Sequence, residues 1–165
     1  MHSCGPVLKS IVKTETSEFT TQSTSFVSLP GATTNVVVPA GETRCIKARL
    51  YVVASCSETA ANDFCGIRVS VVGGEAFDPP INGIDIAPSG AAPAAYAFQW
   101  VKVLGEGTHK IRPAAAVQNA MTTFTIKFWT FDVETAGIGL RRAIDPAWRV
   151  NVTRCGALIA RPLRL

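Results

Sequence analysis

Hydrophobic positions along this chain recur at period two, most clearly across residues 43–72. In residues 44–54, Ile46, Ala48, Leu50, Val52 and Ala54 share one face, and Cys56 continues it. In residues 64–71 the apolar face is Ile67, Val69 and Val71, with Cys65 in phase. Both cysteines therefore point the same way at facing ends of two strands read as neighbours. That arrangement predicts a cross-strand disulfide between Cys56 and Cys65. Cys45 has the opposite parity to Cys56 on the same strand, so it is expected to face away, free or paired elsewhere.

The same period organises the rest of the chain. Residues 17–29 read as an edge-like strand carrying Phe19 and Phe26, ended by Pro30-Gly31, and 33–38 as a short strand stopped by Pro39-Ala40-Gly41. Gly73-Gly74 predicts a hairpin with a return strand over 75–78 before Pro79-Pro80. Residues 79–94 form a long loop, of the kind that carries function or lacks order. Residues 95–104 put Tyr96, Phe98 and Trp100 on one face and Ala97, Gln99, Val101 and Val103 on the other. A Gly105-Glu106-Gly107 turn leads into a strand over 108–112, which Pro113 is expected to stop. In 121–134 the apolar phase slips: Phe124, Ile126 and Phe128 share a parity, then Trp129, Phe131 and Val133 take the other. A slip inside one strand predicts a β-bulge that brings both sets to one core.

About eight strands separated by turn signals predict an all-β fold, an antiparallel two-sheet β-sandwich or jelly roll, with extended N- and C-terminal arms. The expected divisions are a loose N-terminal arm (1–16), the sandwich (17–134) and a basic C-terminal arm (135–165). Gly137, Gly139, Pro146 and Pro162 interrupt the last, with a short helical turn expected near Asp145-Pro146. A chain of 165 residues fits one such domain.

Charge sharpens the division. Charged residues make up 17% of the chain and the net charge is +4. Residues 135–165 hold six arginines (Arg141, Arg142, Arg149, Arg154, Arg161, Arg164) against Asp145, a balance of +5. The remaining ten Lys and Arg face eleven Asp and Glu, a balance of −1. A basic arm on a neutral body suits docking on a partner, with Trp148 and its apolar neighbours filling a groove there. The five cysteines, without a C-x-x-C motif, suggest disulfides rather than a metal, so no metal site and no cofactor are expected. No recognisable signal peptide opens this numbering and no stretch reaches the ~18 apolar residues of a membrane span.

Little chemistry is encoded. His2 and His109 are the two histidines, and no nucleophile elbow accompanies them. Asp78, Asp85 and Glu106 fall in or beside loops, where a carboxylate pair for glycoside hydrolysis has to be weighed against ordinary turn residues. Asn62-Asp63 and Asn82 with Asp85 offer oxygen atoms without the dense spacing of a calcium loop. Gly105-x-Gly107 opens a strand rather than a helix, which excludes a phosphate loop. Asn151-Val152-Thr153 matches a glycosylation sequon. Tyr96, Phe98 and Trp100 form either a core layer or, if exposed, a ligand face for sugar or bases.

The order of Phe26-Val27, the Pro-Ala-Gly turn at 39–41, Cys45 to Arg49-Leu50, Cys56 to Cys65-x-Ile67-Arg68-Val69, Gly105-x-Gly107-Thr108-His109 and Phe124 to Trp129 resembles small uncharacterised bacterial β-sandwich proteins. More distantly it is similar to the tumour-necrosis-factor and complement globular-head jelly rolls. The resemblance covers about residues 17–134. It implies a jelly roll that assembles as a homo-oligomer, a trimer by preference, and implies no activity.

These readings converge on a non-enzymatic structural or display protein, an oligomeric building block or decoration of a virion or other extracellular particle. Its partners are copies of itself and a larger protein assembly, with no specific nucleic-acid motif. The alternative is a carbohydrate-binding or adhesion module that holds a glycan with exposed aromatics and loop 79–94.

Overall fold

The structure is a computed structural model that describes residues 3–57, 64–74, 76–78 and 92–139, and the backbone of 84–86. Its strands are β1 (Ser3–Glu15), β2 (Phe19–Thr21), β3 (Val27–Ser28), β4 (Thr34–Val38), β5 (Arg44–Ser57), β6 (Cys65–Val71), β7 (Ile84–Ile86), β8 (Ala94–Leu104), β9 (Gly107–Val117) and β10 (Thr123–Gly139). No helix among the described residues is long and apolar enough to cross a membrane.

The strands form two antiparallel sheets. The first runs β1-β10-β5-β8, and β2 takes over the same edge of β10 where β1 ends. The second runs β9-β6-β7, with β3 and β4 sharing the other edge of β9 in succession. Counting each shared edge as one interrupted strand, the pairings nest. The first edge pairs with β10, the next with β9, β5 with β8 and β6 with β7. The chain is thus one long antiparallel hairpin rolled into two layers, which is a jelly roll.

The alternation in β5 and β6 explains why they bury one face. Ile46, Ala48, Leu50, Val52, Ala54, Ile67 and Val69 are all at most 2% exposed, and they meet Ile126, Trp129 and Phe131 of β10 in one core. Burying each large side chain is worth roughly 1.5–3 kcal/mol. The two strands are not sheet neighbours, however. β5 pairs with β8 and β10, while β6 pairs with β7 and β9. Parity shows which face turns inward but not which layer a strand joins. Cys56 and Cys65 are bridged, with Cα atoms 5.9 Å apart, and their bridge fastens one sheet to the other. Cys45 faces away from that core face and is paired elsewhere, with Cys4.

Other expectations are revised at particular residues. The loose lead-in over 1–16 is instead the edge strand β1, registered against β10 from Ser3↔Gly139 to Glu15↔Trp129. Its alternation is faint because an edge strand buries little of either face: Ile11 and Lys13 are half-buried and Val12 is exposed. The strand expected over 17–29 is broken into β2 and β3. At the other end β10 runs past Val133 to Gly139, with Thr135 and Ala136 buried, so the arm does not begin at 135.

Pro113 does not stop β9. Its carbonyl accepts from the Leu29 amide at 3.1 Å, and a residue's N and C=O share one side of a strand. The missing N–H therefore falls where β3 has ended and β4 has not begun. There the Leu29 carbonyl accepts instead from Ala32 N at 3.3 Å. A proline is tolerated in the sheet because its neighbour turns away at that point.

Residues 73–74 and 76–78 carry the chain between layers. Gly73, at φ 75°, and the Gly74 N to Val71 O bond of 3.0 Å close the turn after β6. Phe77 N then donates to Val69 O of the second sheet at 2.9 Å, and Asp78 exchanges two 3.0 Å bonds with Val101 of the first. The buried Phe77 side chain pins this crossing to the core. Within the expected loop 79–94, β7 pairs with residues 65–67, and the remaining positions up to 91 lie outside the described residues.

Candidate functional site

The aromatic row of β8 faces the core. Trp100 is fully buried, and Tyr96 and Phe98 are half-buried against the same cluster. Their rings follow one another, with centroids 6.0 Å apart from Tyr96 to Phe98 and 5.8 Å from Phe98 to Trp100. The opposite parity exposes Ala95, Ala97 and Gln99, side chains too small or polar to fill an interior. Tyr96, Phe98 and Trp100 are therefore a core layer, not a ligand face. Their corrected role removes the platform on which a glycan was expected.

Two of the residues weighed for acid–base chemistry, Glu106 and His109, are engaged in holding turns, and the Asp85 side chain lies outside the described residues. Glu106 Oε2 accepts from Gly41 N at 2.6 Å, tying the β8–β9 turn to the turn before β5. His109 Nε2 lies 2.9 Å from the Gly105 carbonyl. Asp78 is exposed on the crossing between the sheets. No group of three or more His, Cys, Asp or Glu side chains that could hold a metal occurs among the described residues. The arm residues Arg141, Arg142, Trp148, Arg149, Arg154, Arg161 and Arg164 lie outside the described residues, as do His2, Asn62, Asp63, Asn82, Asn151 and Cys155.

What the fold assembles is a surface on the outer face of the first sheet, built from the outward parity of β1, β10, β5 and β8. One row across the strands is Val12, Asp132, Arg49 and Gln99, and the next is Ser10, Glu134, Lys47 and Val101. Arg49 organises both. Its Nη1 and Nη2 donate to Glu134 Oε1 and Oε2 at 2.8 and 2.9 Å, its Nη1 also to Asp132 Oδ2 at 3.1 Å, and its Nε to Gln99 Oε1 at 3.3 Å. Ser10 Oγ completes the row by donating to Asp132 Oδ1 at 2.8 Å. The Glu134 bonds raise the Arg49 pKa against the opposing effect of desolvation. A fork this saturated holds Arg49, Asp132 and Glu134 as a fixed, internally paired cluster.

Toward the other end of the sheet the face turns apolar. The register of β10 against β5 shifts between Ile126 and Phe128, the bulge expected from the phase slip. Trp129, Phe131 and Val133 return to the core, but Phe128 is left outside, 46% exposed. It lies opposite Val53, with Tyr51 next on β5 and Ala95 and Ala97 on β8. These residues, together with Val52 and Tyr96 whose side chains point inward, line an open recess of about 290 Å³. The sequence pointed to the bulge but placed Phe128 inside, because a phase slip does not show which residue at the slip is turned out.

No family model matches the chain, and no curated protein matches it. Among solved structures, 94% of the chain aligns with the infectious bursal disease virus Gx strain at TM-score 0.28 and 11% identity, over 52% of that chain. It aligns over 94% with a mutant VP2 protein of infectious bursal disease virus in derived T=1 particles at TM-score 0.31 and 8% identity, over 49% of that chain. A VP2 subviral particle of the same virus gives 0.26 and 9%, with 93% of this chain and 50% of that one covered. The chain spans about half the length of each. Scores this low carry no argument, and the jelly-roll assignment rests on the nested strand pairing.

Proposed function

We propose that this protein is a non-enzymatic structural building block: a jelly roll that assembles with copies of itself through the outer face of its first sheet, as part of an extracellular or virion-type particle. The observation that carries the reading is the apolar recess beside Phe128. A bulge turns a phenylalanine out of a core that holds three other aromatic residues of the same strand, Phe124, Trp129 and Phe131. Exposed aromatic surface of this kind, set beside a polar patch, marks contact surfaces between proteins. A second copy is the occupant that fits. The same face offers both an aromatic knob and a recess, and the charges at its centre, Arg49 with Asp132 and Glu134, are already paired within the chain.

The edge strand β1 extends this surface. Among the described residues its outer edge pairs with no strand, and Val7, Leu8 and Val12 stand exposed along it at 48%, 59% and 60%. Bare edges invite pairing unless guarded. The two disulfides suit an oxidising location outside a reducing cytosol. A trimer remains the preferred count, and the arm of residues 140–165 is assigned to the larger assembly.

Sedimentation velocity tests the reading. The intact chain is expected to sediment as an oligomer, and Phe128→Asp, which places a charge in the recess without touching the core, is expected to give monomers of unchanged fold. A wild-type chain that is monomeric at all concentrations, or an oligomer indifferent to Phe128→Asp, contradicts it.

A further inference from the structure

The outer face of the second sheet carries a different surface. Arg68 of β6 lies opposite Ala114 of β9, and Arg112 of β9 lies opposite Ser70 of β6. The two arginines are therefore diagonal neighbours, roughly 7–8 Å apart at the backbone and within reach of each other's side chains. Each is fixed from one side. The Arg68 guanidinium carbon sits 4.0 Å above the Phe26 ring, and Arg112 Nη1 donates to Ser28 Oγ at 2.9 Å.

Neither is neutralised by the described residues. The ion pairs there involve Arg44, Arg49 and Lys127, and the Nε atoms of both Arg68 and Arg112 are buried without a hydrogen-bond partner. Lys110, two residues before Arg112, is on the same side of β9. The first sheet's outer face, by contrast, balances Lys47 and Arg49 against Asp132 and Glu134. Burial and, after it, the charge of Arg112 hold the Arg68 pKa below its ordinary value. Two guanidinium groups kept together, partly desolvated and without a carboxylate partner among the described residues, form an arrangement that an oxyanion relieves. Their flat forks match its oxygen atoms.

A recess of about 170 Å³ adjoins the pair. Phe26, which carries Arg68, and Gly66, two residues before it on β6, line it with Thr24, Phe64, Ala116 and Gln118. We propose that this face is a subsite for an oxyanion, the phosphate or sulfate group of a small ligand, held between Arg68 and Arg112 with the rest of the ligand in the Phe26–Phe64 recess. The subsite lies on the opposite layer from the proposed contact between copies, so it stands or falls separately.

Calorimetric titration of the intact chain with inorganic phosphate, inorganic sulfate, a sulfated monosaccharide and the unsulfated sugar tests it. The ions are expected to bind saturably and the sulfated sugar more tightly, while the plain sugar does not bind. Arg68→Gln and Arg112→Gln are each expected to weaken binding by about tenfold or more, the worth of one charge-assisted contact. Arg68→Lys and Arg112→Lys keep the charge without the fork; an intermediate loss supports the site even where a Gln variant fails to fold. Lys127→Gln is expected to change nothing. Absence of saturable binding, or an equal loss in Lys127→Gln, overturns the site. Equal affinity for free sulfate and the sulfated sugar overturns the role of the recess.

Discussion

Trp100 shows how one side chain separates a core from a ligand platform. Its ring is fully buried, and its Nε1 has no hydrogen-bond partner, so it contributes packing alone. Trp100→Ala is expected to destabilise the fold by about 3–5 kcal/mol through the cavity it leaves. Trp100→Phe, which keeps a ring against Phe98 and loses no bond, is expected to cost much less. Urea unfolding checks both, and a silent Trp100→Ala contradicts the core assignment. Cys56 and Cys65 make the second residue-scale test. They close a loop of sequence separation 9, for which chain entropy gives about 2–3 kcal/mol of stabilisation. A Cys56→Ser, Cys65→Ser double variant is expected to lose that amount, and peptide mapping without reductant is expected to recover 56 linked to 65 and 4 linked to 45. Free thiols at 56 and 65 refute the bridge. The pairing of 56 with 65 was legible from parity, although the strands read as neighbours belong to different sheets. The choice of Cys4 for Cys45 was not, because Cys4 lies in a stretch whose pattern hid a strand.

At the scale of elements, legibility followed burial. Strands β4, β5, β6 and β8 stand close to where period-two runs and their Gly or Pro boundaries put them, since one buried face imposes alternation. The bulge in β10 was legible for the same reason. The exceptions are elements whose pattern is set by neighbours rather than by the core. β1 is an edge strand with few buried side chains, and Pro113 survives inside β9 only because β3 and β4 leave a gap beside it. The end of β10 was also missed: Thr135 and Ala136 are buried opposite Ile46 and Cys45, but a threonine and an alanine give no hydrophobic signal. A chain ending at Glu134 is therefore expected to be less stable than one ending at Gly139, by roughly 2–4 kcal/mol for the lost ladder bonds and packing. Thermal unfolding of the two compares them directly, and equal midpoints refute the assignment of 135–139 to the sheet.

At the scale of the molecule, the two layers present unlike outer faces. The first offers an apolar recess beside the ion-paired Arg49 cluster; the second offers arginines uncompensated among the described residues. Neither was legible in advance. A sequence shows which residues point outward, but only the sheet order places Tyr51 beside Phe128 or Arg68 beside Arg112. The central claim is that the first face is the contact between copies and the aromatic row of β8 is core. Hydroxyl-radical footprinting across a concentration series tests both at once, with the exposed Met121 as an internal reference. The account predicts that Phe128 and Tyr51 are oxidised in dilute protein and become protected as concentration rises, while Trp100 and Trp129 stay protected throughout and Met121 stays reactive. Oxidation of Phe128 and Tyr51 that is the same at every concentration would contradict it.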